Sequence, residues 1–178
     1  KLLSPLDGAH AVRAKHVKQA GVLQLVGVVK TVEVKVVERQ AATLVDHLDG
    51  EGGARHVFRY AMAGGRVIAE LMYCDFIVCS GDEVFNQMAK IRYMSGGQAN
   101  VPMTIRCPIG AGRSSAAQHS QSMQAMCAQF PGLKIAVPST AQEAKGLLKA
   151  AIRDDDPVIV FEHKMEYNKK FMVDDVVE

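Results

Sequence analysis

The sequence predicts an α/β domain, a mostly parallel sheet with helices on both faces, carried by residues 64–167. Three observations predict it. Short apolar runs alternate with stretches of helical periodicity from Gly64 onward. Two of the helical stretches open on a hydroxyl residue followed three positions later by a glutamate, the pattern of a capping box. The apolar runs are nearly continuous in Val, Ile and Leu, as strands covered on both faces are.

Taken in order, residues 67–73 (Val-Ile-Ala-Glu-Leu-Met-Tyr) read as the first strand. Ser80-Gly81-Asp82-Glu83 reads as a capping box, and Val84, Met88 and Ile91 carry a helix on to about Met94. Ser95-Gly96-Gly97 stops it. Residues 101–106 are the next strand, followed by a Gly/Ser-rich loop at 110–115. A helix is expected from about Gln118 to Gln129, with Met123, Met126, Cys127 and Phe130 on one face and Pro131-Gly132 as its breaker. Residues 133–137 form a third strand. Thr140 and Glu143 make the second capping box, opening a helix to about Arg153 with Ala144, Leu147, Leu148 and Ala151 inward. Asp154-Asp155-Asp156-Pro157 turns the chain into a fourth strand at 158–161. This order implies right-handed crossovers.

The first part of the chain has a different composition. Residues 1–57 contain no Phe, Tyr, Trp, Met or Cys and hold four of the six His (His10, His16, His47, His56). Without large aromatic side chains the segment is poorly equipped to build a core. Residues 32–36 alternate apolar and polar like a strand with one wet face, and residues 46–53 read as a turn or loop. Three regions follow: a divergent segment 1–63, an α/β domain 64–167, and the start of a linker at 168–178.

With 178 residues, 48% hydrophobic and 22% charged, the composition is that of a globular domain. A net charge of +2 gives no ground for a nucleic-acid or anionic-membrane partner. No apolar run reaches the roughly 18 residues needed to span a bilayer. Cys74, Cys79, Cys107 and Cys127 are scattered without metal-ligand spacing, which suits free thiols in a reducing compartment.

His119 is the most informative single residue. It lies in Gln118-His119-Ser120-Gln121, where a Gly-rich loop enters a helix after a strand, and open parallel sheets bind ligands at such places. An imidazole there serves as acid, base or anion ligand, or else hydrogen-bonds its own loop. The loop 110–115 lacks both the Walker lysine and the third glycine of a dinucleotide fingerprint, leaving a phosphate cradle or a tight turn. Asp154, Asp155 and Asp156 read as a divalent-metal site, a monovalent-ion site or a solvated turn. Phe76 either stacks on a flat ring or packs in the core.

Residues 66–167 resemble the beta subunit of the thiamine-diphosphate-dependent decarboxylating component of 2-oxo acid dehydrogenase complexes, the pyruvate, branched-chain and acetoin enzymes. The resemblance is carried by Arg66-Val67-Ile68-Ala69-Glu70-Leu71-Met72, Asp75-Phe76, the run from Asn86 to Gly97, and Arg106-Cys107-Pro108-Ile109-Gly110-Ala111-Gly112. It continues in Gln118-His119-Ser120-Gln121, Pro131-Gly132-Leu133-Lys134, the run from Ala144 to Asp154, and Asp156-Pro157-Val158.

That resemblance implies a transketolase-like pyrimidine-binding domain whose cofactor lies between two chains. The alpha subunit would hold the diphosphate and magnesium; this chain would hold the aminopyrimidine. The family's stacking aromatic falls on Phe76, its apolar neighbour on Met72, and its active-site histidine on His119. Its potassium ligands fall on Met103, Ala151, Ile152, Asp154 and Asp156. The partners implied are an alpha subunit, a second beta subunit and a lipoyl-bearing acyltransferase. The location implied is the bacterial cytoplasm or the mitochondrial matrix.

The sequence departs from that family at the glutamate that activates the pyrimidine. Counting back from Ala61-Met62-Ala63-Gly64 places Gly50 at its position and Glu51 one residue away. Glu51 is therefore the candidate. The aromatic-free composition upstream suggests a frame-shifted or replaced N-terminus. A Gly-Asp-Gly with a downstream Asn-Asn, the mark of a diphosphate-binding half, is absent, and no C-terminal transketolase domain follows. Two functions follow: a catalytic beta-subunit domain, or a non-catalytic truncated paralogue or degenerate fragment. Another thiamine enzyme, such as a transketolase or deoxyxylulose-phosphate synthase, fits the Gln118–Gln121 and Lys145–Leu147 context less well.

Overall fold

A computed structural model describes residues 43–47, 51–170 and 172. Five strands form one sheet: β1 (Thr43–His47), β2 (Arg66–Glu70), β3 (Met103–Ile109), β4 (Lys134–Ala136) and β5 (Val158–His163). Their spatial order is β1-β2-β3-β5-β4, and every neighbouring pair is parallel. The expected fold class therefore stands, with one strand more at the edge than the Val/Ile runs indicated. The alternating strand at 32–36 lies outside the described residues.

Side chains alternate across the sheet as the pleat requires. From β2, β3 and β5, Val67, Ala69, Met103, Ile105, Cys107, Ile109, Ile159 and Phe161 face one core. Ile68, Val158 and Val160 face the other. The first core is covered by α1 (Glu51–Met62), a 3₁₀ segment (Cys74–Ser80), a π-helical stretch (Asp82–Met88) running into α2 (Ala89–Met94), and α3 (Gln124–Cys127). The second is covered by α4 (Ala141–Arg153) through Leu148, Ala151 and Ile152.

Packing continues across the boundary drawn at 63/64. α1 sends Ala54, Val57, Phe58 and Ala61 into the first core. Their i, i+3, i+4, i+7 spacing is one helix face, and burying that face outweighs the poor helix propensity of Gly52 and Gly53. Residues 51–53, read as part of a loop, thus open a helix.

Two further expectations change. Ser80 and Glu83 do not form a capping box. Ser80 is buried at the end of the 3₁₀ segment, and no side chain caps the π-helical stretch. The Glu83 carboxylate instead accepts from Arg55 Nε of α1 at 2.8 Å, tying two helices together. The helix expected from Gln118 to Gln129 is broken. Only Ala117–His119 (3₁₀) and Gln124–Cys127 are helical. The cause is Gln121, whose main chain is engaged elsewhere: its carbonyl accepts from Gly110 N at 2.9 Å and its N–H donates to Asp75 Oδ1 at 3.2 Å. The capping box at α4 holds, with Thr140 Oγ1 accepting from Glu143 N at 3.2 Å and Glu143 reaching back to Ser139 N at 2.8 Å.

Candidate functional site

The segments that follow β2, β3 and β5, three neighbouring strands, converge at the C-terminal edge of the sheet. In parallel α/β sheets this edge is where ligands bind. The β2 segment brings Met72, Tyr73 and Phe76, the β3 segment brings His119, and the β5 segment brings Lys164.

Phe76 sits on the 3₁₀ segment between Asp75 and Ile77, both buried. It remains 36% exposed, so part of its ring is open to a ligand, and Met72 is half exposed beside it in sequence. The His119 ring lies edge-on to Phe76, with centroids 5.4 Å apart and planes at 71°. Its other neighbour is Tyr73, 4.7 Å away at 32°. His119 Nδ1 is buried without a hydrogen-bond partner. A buried polar atom left unpaired costs about 1–3 kcal/mol, so this nitrogen is open to a water or a ligand. The structure therefore brings Phe76 and His119 together.

The backbone around His119 is held from several directions. Ser120 Oγ donates to Ala116 O at 2.6 Å. Gly110, at φ +87°, packs so tightly on His163 that a Cβ would sit 2.5 Å from the His163 Nε2, so only glycine fits this turn. Lys164 Nζ donates to the His119 carbonyl and stands 4.8 Å over the Tyr73 ring. Asp75, which is buried, accepts from Gln121 N and from the Cys74 thiol at 3.7 Å. Nothing in the sequence marked Tyr73 or Lys164 as parts of this site beyond their places at strand ends, and Asp75 stood there only as the neighbour of Phe76 in a motif.

Beneath these segments lies a buried ion pair. Arg106 of β3 donates twice to Glu162 of β5, at 2.6 and 2.9 Å, with Glu70 of β2 3.7 Å away. Tyr167 OH donates to the same Glu162 carboxylate at 3.0 Å. Burial opposes the Arg106 charge, but Glu162 and Glu70 outweigh it and raise its pKa. Burial, with the Glu162 charge, pushes the Tyr167 phenol upward too. The bidentate pair joins β3 to β5, and the longer Arg106–Glu70 contact adds β2, at the edge that carries the site.

Three thiols nearby are inert. Burial, reinforced by the Asp75 charge, pushes Cys74 up to about 12, and burial takes Cys127 to about 11 and raises Cys107 well above its ordinary value. Their thiolates are inaccessible at neutral pH, so they do no nucleophilic chemistry.

The acidic turn lies at the other end of the strands. Arg66 Nη1 donates to Ile152 O at 2.7 Å and Asp154 O at 2.5 Å. The Ala151 carbonyl accepts from Asp154 N at 3.3 Å. Lys134 Nζ pairs with Asp154 at 2.7 Å and Asp156 at 3.1 Å, and Arg92 also pairs with Asp156. The Asp154 carboxyl is lowered: burial opposes this, and Lys134 overcomes it. Oxygens of four of the five residues aligned with potassium ligands are thus already engaged by this chain's own groups; the fifth, Met103, is buried on β3. Among the described residues no cluster of three or more His, Cys, Asp or Glu suits a metal ion. Ser114 in the loop 110–115 sits at φ 52°, and Ala116 just beyond it at φ 62°, both in the left-handed region that favours glycine.

Glu51 is the first residue of α1. Its side chain lies outside the described part of the structure.

Comparison with known proteins gives the family. Residues 59–170, more than half of the chain, match the family described as transketolase, pyrimidine binding domain. The chain belongs to this family. It is 56% identical over 110 residues to the beta subunit of an acetoin:2,6-dichlorophenolindophenol oxidoreductase from Bacillus subtilis, covering 62% of this chain and 32% of that protein. It is 50% identical over 107 residues to the 2-oxoisovalerate dehydrogenase beta subunit of the same bacterium, covering 60% and 33%. It is 48% identical over 117 residues to the mitochondrial pyruvate dehydrogenase E1 beta subunit of Caenorhabditis elegans, covering 66% and 33%. The chain thus spans about a third of the length of these relatives. Among solved structures, a split-gene transketolase, described as an inactive beta4 tetramer, superposes with a TM-score of 0.52 at 14% identity, covering 64% of this chain and 34% of that one. At that identity the likeness speaks to the transketolase-like fold. Among the described residues of this pyrimidine-binding domain, no helix is long and apolar enough to cross a membrane.

Proposed function

We propose that this chain is the aminopyrimidine-binding part of a beta subunit in a thiamine-diphosphate-dependent 2-oxo acid dehydrogenase, of the pyruvate, branched-chain or acetoin type. One observation carries the reading: the partly exposed Phe76 ring meets, at a steep angle, an imidazole whose Nδ1 is buried and unpaired. An aromatic face beside an unpaired nitrogen suits a flat heterocycle with a reacting carbonyl close by.

In this reading Phe76 and Met72 face the aminopyrimidine. His119 orients the 2-oxo substrate and exchanges a proton as the acyl group passes to a lipoyl arm. Glu51 donates or shares a proton at the pyrimidine ring nitrogen. When bound, thiamine diphosphate supplies the carbon nucleophile and the electron sink for decarboxylation. An alpha subunit supplies the diphosphate and magnesium site, and a second beta subunit and the lipoyl-bearing acyltransferase complete the assembly. The setting is the bacterial cytoplasm or the mitochondrial matrix.

The experiment is calorimetric titration of the chain with thiamine diphosphate and magnesium, alone and with a cognate alpha subunit. Saturable heat in the presence of the alpha subunit is expected. No heat in either case would leave the chain as a non-catalytic fragment.

A further inference from the structure

Lys164 is an unusual lysine. It is 2% exposed, deeper than almost any lysine in a soluble domain. Among the described residues no carboxylate pairs with it, and its ammonium finds the His119 carbonyl and the face of Tyr73 instead. Burying a cation without an anion is costly, so the contacts it does make must contribute to holding it there. Both lead to the same place. The carbonyl belongs to His119, and Tyr73 is the ring against which the His119 imidazole leans at 4.7 Å.

We infer that Lys164 is a positioning residue: its buried ammonium fixes the His119 main chain and the Tyr73 ring, and so sets where the imidazole stands relative to Phe76. The juxtaposition spans three segments. The ammonium comes from the end of β5, the imidazole from the β3 segment, and both aromatic rings from the β2 segment. The alternating contacts lock them in one order, Lys164 to Tyr73 to His119 to Phe76. A cation over an aromatic ring, desolvated as here, adds an attraction that an aliphatic side chain of equal length does not. The orphaned Nδ1 is consistent with this, since the imidazole is held by its backbone and its ring faces rather than by a hydrogen bond at that nitrogen.

This inference rests on reading His119 as the reactive imidazole, and it is tested where that reading is not needed. In the cofactor-free chain, NMR of His119 reads both contacts: the carbonyl carbon reports the Lys164 hydrogen bond, and the ring protons report the Tyr73 ring current. Lys164→Met is expected to move both sets of resonances, and Lys164→Arg, which keeps a donor and a cation over the ring, to restore them. Thermal melts of both variants establish that they fold. A folded Lys164→Met protein with His119 resonances unchanged would overturn the inference. If Lys164→Met does not fold, the Arg variant decides: native-like resonances support the role, and displaced ones refute it. In the complex with an alpha subunit, Lys164→Met is expected to lower kcat by roughly tenfold to a hundredfold with KM little changed, the cost of a misplaced reacting group. Failure of the complex to bind cofactor would sink the proposed function and leave the NMR result standing.

Discussion

His119 and Phe76 meet edge to face, 5.4 Å between centroids, although 43 positions separate them in the chain. The contact exists because β2 and β3 lie side by side and both segments leave the sheet at the same edge. Each ring is useful to a ligand only because the other is there: one offers a face, the other an unpaired nitrogen.

Phe76→Ala should separate binding from folding. The ring is partly exposed, so its loss should cost the fold little. Stacking on a heterocycle is worth about 0.5–1.5 kcal/mol beyond buried area, so cofactor affinity in the assembled complex should fall by roughly tenfold. Paired melting and calorimetric measurements check it. A large drop in melting temperature with unchanged affinity would make Phe76 a core residue.

Arg106 and Glu162 should show the opposite pattern. Glu162→Ala leaves the buried Arg106 guanidinium with the longer Glu70 contact in place of its bidentate partner and removes the acceptor of Tyr167. Removing one partner of a buried pair costs about 3–5 kcal/mol. Urea unfolding should register a loss of that size, where an exposed pair such as Lys169–Glu166 should register almost none.

The thiols give a pH prediction. Cys74, raised to about 12 from 9.0, stays protonated in the fold while an unfolded chain ionises. The linked stability is complete below about pH 9 and is lost as pH rises toward 12. At pH 8 an alkylating reagent should therefore label exposed Cys79 quickly and leave Cys74, Cys107 and Cys127 untouched until the protein unfolds. Mass spectrometry of the labelled chain counts the modified thiols; rapid labelling of Cys74 would contradict its burial.

The acidic turn should not respond to potassium. Arg66 and Lys134 already occupy its oxygens, so melting curves in potassium and sodium chloride at equal ionic strength should coincide. A higher melting temperature in potassium alone would mean that the ion displaces Arg66 from Ile152 and Asp154.

Much of this architecture is legible in the residues. The β2, β3 and β5 strands announce themselves as apolar runs because both faces of the sheet are covered, and α4 announces itself through Thr140 and its inward Leu148. The α1 helix was hidden by Gly52 and Gly53, yet Ala54, Val57, Phe58 and Ala61 carried its buried face all along. Ser80 and Glu83 have the right spacing for a cap, but the Arg55 side chain that claims Glu83 comes from 28 residues away. The same is true of the broken helix after His119, where Gly110 and Asp75 take the main chain of Gln121. In the site, Phe76 and His119 are recognisable as residue types in motifs. Lys164 is not, because its role comes from a contact across 45 positions that no local pattern encodes.

The most direct measurement uses only the heterocycle. Titrating 4-amino-5-hydroxymethyl-2-methylpyrimidine into isotope-labelled chain should shift the resonances of Phe76, Met72 and His119 together and saturably, leaving those of the acidic turn at Asp154 and Asp156 in place. Shifts absent from Phe76 and His119, or spread without pattern over the surface, would contradict the claim that these two rings form a wall for the pyrimidine.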